Sequence, residues 1–137
     1  MAELTGNAAT RLGGRFIALG ALVMALAVIF SAAGDHLVAS RVSAEDLHIY
    51  DIANRFQIYH GLGLLFIGVL IRQYGKRRLL YAAGGLMTLG TLLFCGGLYL
   101  LTLTGDVFWA FFAPVGGITL VLSWLSLALS MWRASAT

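Results

Sequence analysis

The stretch Leu79–Gly105, LLYAAGGLMTLGTLLFCGGLYLLTLTG, decides the fold of this chain. It contains no Asp, Glu, Lys or Arg, and it exceeds the roughly 20 residues that an α-helix needs to cross a bilayer. Three further stretches also lack these four residue types: Phe16–Ala33, Phe56–Ile71 and Val107–Trp132. The chain is 60% hydrophobic and only 11% charged, and a soluble domain of 137 residues could not bury so much apolar surface. The sequence therefore predicts an all-α membrane protein, a bundle of four transmembrane helices.

The charges between the apolar stretches are sorted by sign, which predicts an orientation. We expect spans over residues of about 14–34, 50–72, 79–104 and 109–132, all within a single domain, 1–137. Basic residues precede the first stretch, separate the second from the third and follow the fourth: Arg11, Arg15, Arg72, Lys76, Arg77, Arg78 and Arg133. Five of the six acidic residues lie in the other two connections: Asp35, Glu45, Asp46, Asp51 and Asp106. Since basic residues stay on the cytoplasmic side, we expect both termini there, N-in and C-in.

Composition excludes some classes of protein. The net charge of +3 does not indicate nucleic-acid binding, because membrane orientation already accounts for the basic residues. The single cysteine, Cys95, cannot form a disulfide within the chain, and we expect a small buried side chain. Ser31–Ala33 is similar to a signal-peptide cleavage site, but the preceding run is longer than a signal peptide's apolar region. We therefore expect a retained first span, with cleavage as the alternative.

Small residues recur at helical spacing in every span. Gly13, Gly20, Ala27 and Gly34 lie seven residues apart, and span 3 carries a stripe at intervals of four or three: Gly84, Thr88, Thr91, Cys95, Tyr99 and Thr102. Such residues let membrane helices approach closely. We expect the helices to pack through Gly84, Thr88, Thr91, Cys95, Gly96, Gly116 and Gly117. A solute pathway along the stripes is the alternative interpretation.

Three local signals concern the helix ends. Ser43 followed by two acidic residues is typical of a helix N-terminus, so we expect the second helix to begin near Ala44, outside the membrane. Pro114 predicts a kink or a late start of the last helix. Asp51 and Arg55 are four residues apart, acid first, which predicts a helical ion pair.

Polar residues concentrate where the first span ends and the second begins. Ionisable residues inside spans usually face the bundle interior and often mark function. The candidate polar cluster or ligand site consists of Asp35, His36, Asn54, Arg55, Gln57, Tyr59 and His60. Two interpretations stay open: a structural network that ties spans 1 and 2 together, or a site for haem, a metal ion or a quinone headgroup. No dedicated ligand motif is present, so we expect neither a resident metal nor a cofactor.

The basic loop also has two interpretations. Arg72, Lys76, Arg77 and Arg78 can bind anionic lipid headgroups, or they can simply set the topology.

Four short motifs occur in one order along the chain: SAAGDH at 31–36, FQIYH at 56–60, GTLLFCGGLY at 90–99, and APVGG at 113–117 followed by Ser123-Trp124. They resemble the motifs of the domain-of-unknown-function family 423. That family contains small bacterial inner-membrane proteins of the YgdD type and, in eukaryotes, transmembrane protein 256. The chain departs from the family pattern at Asp35, Cys95, Ala113 and Ser123. The resemblance implies four spans and a multi-pass inner-membrane location, and it supplies no reaction.

These observations lead to a functional expectation. We find no nucleophile–base arrangement and no cofactor fingerprint, so we do not expect an enzyme. We expect a structural or accessory protein in the lipid bilayer, as part of a larger inner-membrane complex or a homo-oligomer. The alternative is a ligand-binding or small-solute transport protein that uses the histidine cluster near the outer face.

Overall fold

The computed structural model describes residues 2–75 and 77–135, with side chains from Ala9 to Gly75 and from Arg77 to Ala134. Within these residues the chain forms four long α-helices and no strand: α1 (Ala2–Ala33), α2 (Ala44–Tyr74), α3 (Arg78–Thr104) and α4 (Phe112–Ser135). A π-helical turn, Gly34–Val38, continues α1, and a 3-10 helix, Val107–Phe111, precedes α4. The prediction of an all-α protein is confirmed.

Three of the four segments are long and apolar enough to cross a membrane: Ala9–Val38, Arg78–Thr104 and Val107–Ala134. The helix α2 is of comparable length, but polar residues such as Asn54, Gln57 and His60 lower its hydropathy. These three side chains are buried inside the bundle rather than turned outward. The structure therefore has three candidate spans, and a fourth crossing by α2 belongs to the proposal below.

Glycines bring α1 and α2 into backbone contact as an antiparallel pair. A Cβ atom on Gly13 would lie 2.7 Å from the carbonyl oxygen of Gly68, and one on Gly68 would lie 2.6 Å from that of Gly13. Gly20 meets Gly61 in the same way, at 2.7 Å. The two glycines of each helix are seven residues apart, a spacing that keeps them on the face that packs against the other helix. The seven-residue pattern seen in the sequence of α1 is thus this interface.

The same construction joins α3 and α4. A Cβ on Gly116 would collide with the backbone of Phe94, and one on Gly97 would lie 3.0 Å from the carbonyl oxygen of Trp109. The hydroxyl group of Ser123 donates to the carbonyl oxygen of Ala83 across the interface, at 2.7 Å. Two antiparallel hairpins therefore make up the fold.

The helices α2 and α3 join the two hairpins through an apolar core. Its fully buried side chains are Leu64, Ile67, Ile71, Leu80 and Met87. A second buried cluster lies beside the polar network described below, and it consists of Val38, Tyr50, Ala53, Cys95 and Tyr99.

The helix ends follow the local signals. Ser43 caps α2 by accepting a hydrogen bond from the amide of Asp46 at 3.1 Å, and α2 begins at Ala44 as expected. The helix α4 begins late, at Phe112, after the 3-10 turn. Pro114 therefore falls in the first turn, where its missing N–H group breaks no helical bond. Both predictions are confirmed.

The expected packing stripe of α3 needs correction at one position. Gly84 is in contact with the ring of Phe16, and Thr91 and Cys95 are buried. Gly96, however, has no atom within 4 Å of the place where its Cβ would lie. Gly96 and Gly97 point in different directions around the helix, and only Gly97 meets α4.

The hydroxyl groups of this stripe and the glycines of α4 also differ from expectation. Thr88 and Thr91 donate to carbonyl groups of their own helix, four residues earlier, rather than across the interface. On α4, Gly117 is only in ordinary contact with the ring of Phe94, at 3.7 Å, whereas Gly116 makes the close approach. Only part of the predicted stripe therefore makes close helix contacts.

Candidate functional site

Three side chains of α2 donate hydrogen bonds to main-chain carbonyl groups of α1. The atoms are close in all three cases: Tyr50 Oη to Phe30 O at 2.7 Å, Asn54 Nδ2 to Ala27 O at 2.8 Å, and Gln57 Nε2 to Val23 O at 3.0 Å. The donors are spaced by four and three residues, so they share one face of α2. A helical carbonyl has a second lone pair free for such a bond. The bonds form a ladder between the two antiparallel helices.

Tyr99 of α3 completes this network. Its hydroxyl group donates to Gln57 Oε1 at 2.8 Å and accepts from Asn54 Nδ2 at 3.3 Å. Its ring makes edge-on contacts with the rings of Phe30 and Tyr50, with centroid distances of 5.0 and 4.8 Å. One side chain of α3 therefore holds both α1 and α2.

Most hydrogen-bonding atoms of this network are paired within the protein. Asn54, Gln57 and Tyr99 are buried, and each makes two hydrogen bonds within the protein. In the part of the chain that the structure describes, every fully enclosed side-chain nitrogen or oxygen atom has a hydrogen-bond partner. Such a network stabilises a unique arrangement of helices, because a lost partner would leave a polar group unpaired in an apolar surrounding.

His60 lies one turn further into the bundle and makes different contacts. Its Nδ1 atom is 2.7 Å from the carbonyl oxygen of Phe56, a contact in which Nδ1 carries a proton and donates it to the carbonyl group. The ring packs between the aromatic rings of Phe56 and Trp124, with centroid distances of 5.7 and 6.1 Å. His60 therefore joins α2 to α4 by packing.

The structure divides the seven predicted site residues into two groups. Asn54, Gln57 and His60 are buried. The remaining four are exposed to lipid or water: Asp35, His36, Arg55 and Tyr59. No hydrogen bond joins the two groups in the described residues. Asp51 and Arg55 are both exposed and form no ion pair with each other within 4.0 Å, so the predicted pair is not present.

Two residues of the network were not among the predicted site residues. Tyr50 and Tyr99 supply the hydroxyl groups that connect it. A signal for Tyr99 existed, because it is the only bulky side chain in the small-residue stripe of α3. A large polar residue among small ones indicates a partner on a neighbouring helix.

The end of the molecule that contains the polar network also contains a cleft. It has a volume of about 400 Å³ and lies between the end of α1, the start of α2 and the end of α3. Its lining is mostly apolar, and only Arg41 and Tyr50 contribute polar side chains. The apolar lining residues are Phe30, Ala33, Leu37, Val38, Val42 and Leu103. A smaller groove of about 160 Å³ runs between α1 and α3, beside Gln57, Gly96 and Tyr99. Within the described residues, no group of three or more His, Cys, Asp or Glu side chains is placed to hold a metal ion.

The predicted basic residues lie at the opposite end of the helices. Arg72 is exposed in the last turn of α2, and the guanidinium of Arg77 lies over the ring of Tyr74 at 5.8 Å. Arg78 is exposed at the start of α3. Lys76 is outside the described residues.

Comparison with known proteins identifies the family. Residues 30–117 match a family described as protein of unknown function DUF423. A UPF0382 membrane protein of Staphylococcus saprophyticus is 35% identical over 118 residues, covering 86% of this chain and 97% of its own. The UPF0382 membrane protein YwdK of Bacillus subtilis is 30% identical over 115 residues, covering 84% and 94%. No solved structure matches.

The sequence identity to these relatives, the share of each chain that is aligned and the three long apolar helices all indicate the same family of membrane proteins. The resemblance drawn from the four sequence motifs is confirmed, since the matched region 30–117 contains all of them except Ser123-Trp124. The chain belongs to the DUF423 family of membrane proteins.

Proposed function

We propose that this protein is a structural or accessory component of the bacterial inner membrane, without catalytic activity. Four helices would cross the bilayer, with both termini in the cytoplasm. The packing of α2 supports the fourth crossing, because its glycine contacts and its ladder of hydrogen bonds run along α1 from Gly68 to Tyr50. Polar groups turned inward are compatible with a lipid-embedded helix.

The observation that carries this proposal is the internal satisfaction of the polar network. A binding or catalytic centre keeps groups available for its ligand, whereas Asn54, Gln57 and Tyr99 direct their hydrogen bonds to one another and to α1. Their arrangement fixes the relative positions of three helices. A rigid body of this kind suits a component that holds a partner or a second copy in the membrane.

Native mass spectrometry of the tagged full-length protein, extracted in bilayer discs, tests this role. We expect a fixed stoichiometry with a partner protein or with itself. Deleting the gene should then reduce the amount of the assembled partner complex. A protein that remains a monomer and whose deletion changes no membrane complex would contradict the accessory role.

The outer cleft favours a second candidate, a ligand-binding protein. Its volume of about 400 Å³ falls within the size range of small-molecule sites. Arg41 and the Tyr50 hydroxyl group provide polar contacts beside an apolar lining, which suits an amphipathic molecule such as a quinone.

Absorption spectra and solvent extracts of the purified protein distinguish the two candidates. A chromophore at one equivalent per chain, lost when Leu103→Trp fills the cleft, would favour the ligand site. We expect no such chromophore, and the Leu103→Trp variant should retain the spectrum and the assembly of the parent.

A further inference from the structure

A further pocket, separate from the cleft and the groove described above, lies at the end of the bundle opposite the polar network. It has a volume of about 240 Å³ and is formed by the start of α3 and the end of α4. Its lining combines three arginines with one aliphatic and one hydroxyl side chain: Arg77, Arg78, Leu79, Ser130 and Arg133. Sequence spacing did not indicate this grouping, because Ser130 and Arg133 come from a different helix than the basic loop.

The positive charge of this pocket has no acidic counterpart among the described side chains. The acidic residues with described side chains all lie in or beside the connections at the other end of the helices: Asp35, Glu45, Asp46, Asp51 and Asp106. Two arginines from different helices, Arg78 and Arg133, line one small pocket, and like charges brought together repel each other unless an anion lies between them. The pocket therefore attracts an anionic group.

Ser130 provides an independent observation. The residue is 2% exposed, yet its hydroxyl group has no hydrogen-bond partner in residues 2–75 and 77–135. Buried hydroxyl groups in helices usually bond to a carbonyl group of the preceding turn, as Thr91 does. The Ser130 hydroxyl is therefore left available to a group that enters the pocket.

The start of α3 adds hydrogen-bond donors at the same place. Its N-cap residue, Arg77, makes no side-chain capping bond. The amide of Leu80 donates to the carbonyl oxygen of Arg77 at 3.1 Å, whereas the amides of Arg78 and Leu79 have no partner within the helix. These amides and the helix dipole favour a negative charge at this end. Leu79 begins the uncharged run of α3, so in a bilayer this end of the run is expected at the boundary between hydrocarbon and lipid phosphates.

We propose that this pocket binds the phosphate group of an anionic phospholipid of the phosphatidylglycerol type. Arg78 and Arg133 bind the phosphate oxygens, Ser130 donates a hydrogen bond, and Leu79 contacts the glycerol and the first acyl carbons. The site takes a lipid rather than free phosphate because its lining includes Leu79, the first residue of the uncharged run of α3. This inference goes beyond the proposed accessory role and does not depend on it.

Native mass spectrometry of the full-length protein in detergent tests the site, with dioleoyl phosphatidylglycerol and dioleoyl phosphatidylcholine offered in equal amounts. We expect the wild type to retain phosphatidylglycerol preferentially. The double variant Arg78→Gln/Arg133→Gln should lower that preference about tenfold, since it removes charge-assisted hydrogen bonds. The matched control, Arg11→Gln/Arg15→Gln, loses the same charge at the same end but does not line this pocket, and should change the preference by less than about twofold.

Ser130→Ala keeps every charge and removes only the hydroxyl group, so it remains informative if the double variant folds poorly. It should lower the preference roughly threefold. Equal losses in the pocket and control variants would show general attraction to basic residues and overturn the proposal. It would also be overturned if inorganic phosphate bound with the same dependence on Arg78 and Arg133 while the wild type showed no lipid preference.

Discussion

At the scale of single residues, the molecule depends on side chains that satisfy one another inside an apolar bundle. Tyr99 is the clearest case, because its hydroxyl group bonds two amide side chains while its ring packs on two aromatic rings. In the membrane, hydrogen bonds of this kind contribute about 0.6 kcal/mol on average and about 1.7 kcal/mol at most. Their main effect is therefore on which helices pair, because an unpaired amide group in the bilayer has no water molecule as an alternative hydrogen-bond partner.

The Tyr99→Phe substitution tests this network. It keeps the ring and removes the hydroxyl group, which leaves Gln57 Oε1 without its donor. We expect the free energy of unfolding to fall by about 1–2 kcal/mol, measured by denaturation in mixed micelles.

Tyr59→Phe is the matched control, because Tyr59 is exposed and makes no hydrogen bond in the described structure. Its effect should stay below about 0.5 kcal/mol. If the two variants were equally stable, the network would contribute nothing measurable.

At the scale of helices, close glycine contacts set the pairing. A contact against backbone is stricter than one against a side chain, because backbone cannot rotate away. Gly116 meets the backbone of Phe94, whereas its neighbour Gly117 is only in ordinary contact with the Phe94 ring. Adjacent glycines of one helix thus have different roles, which their identity alone does not reveal.

The pair Gly116→Ala and Gly117→Ala isolates this difference. Gly116→Ala should destabilise the protein by about 1–3 kcal/mol, because the added methyl group forces α3 and α4 apart. Gly117→Ala should be neutral or stabilising by up to about 1 kcal/mol, since alanine favours the helix. Thermal unfolding in detergent, followed by circular dichroism, measures both. The α3–α4 interface described here would be wrong if Gly117→Ala proved the more damaging change.

At the scale of the whole molecule, the two hairpins place the charged residues at opposite ends. The arginines of the loop between α2 and α3 and of the α4 terminus lie at one end, and most acids lie at the other. This separation agrees with the positive-inside rule, which predicts that the basic end faces the cytoplasm.

Reporter fusions test the orientation of the whole chain. Fusions after Gly75 and after Arg133 should report a cytoplasmic location, and one at Val42 a periplasmic location, because basic connections are retained inside. If α2 lay on the periplasmic side without crossing, the fusion after Gly75 would give the same signal as the one at Val42. That result would exclude four spans.

The sequence by itself determined the class of protein, the family and two helix starts, those of α2 and α4. Long uncharged stretches predict helices for α1, α3 and α4, because a backbone surrounded by lipid must form its hydrogen bonds within the chain. The cap at Ser43 and the late start at Pro114 could be predicted because they depend on neighbouring residues. The burial of Gln57 and His60 also followed from their position in the uncharged stretch Phe56–Ile71.

Only the tertiary structure decided which face meets which helix. A stripe of small residues predicts close packing but does not identify the neighbouring helix, since glycine fits against any helix. Gly97 contacts α4, whereas a Cβ atom on Gly96 would have no described atom within 4 Å. The same limit applies to the polar groups. Tyr99 reaches Gln57, and Ser130 joins Arg78 at one pocket, through contacts between residues far apart in the chain. Such contacts depend on the relative position of whole helices, which the packing of all their side chains sets together.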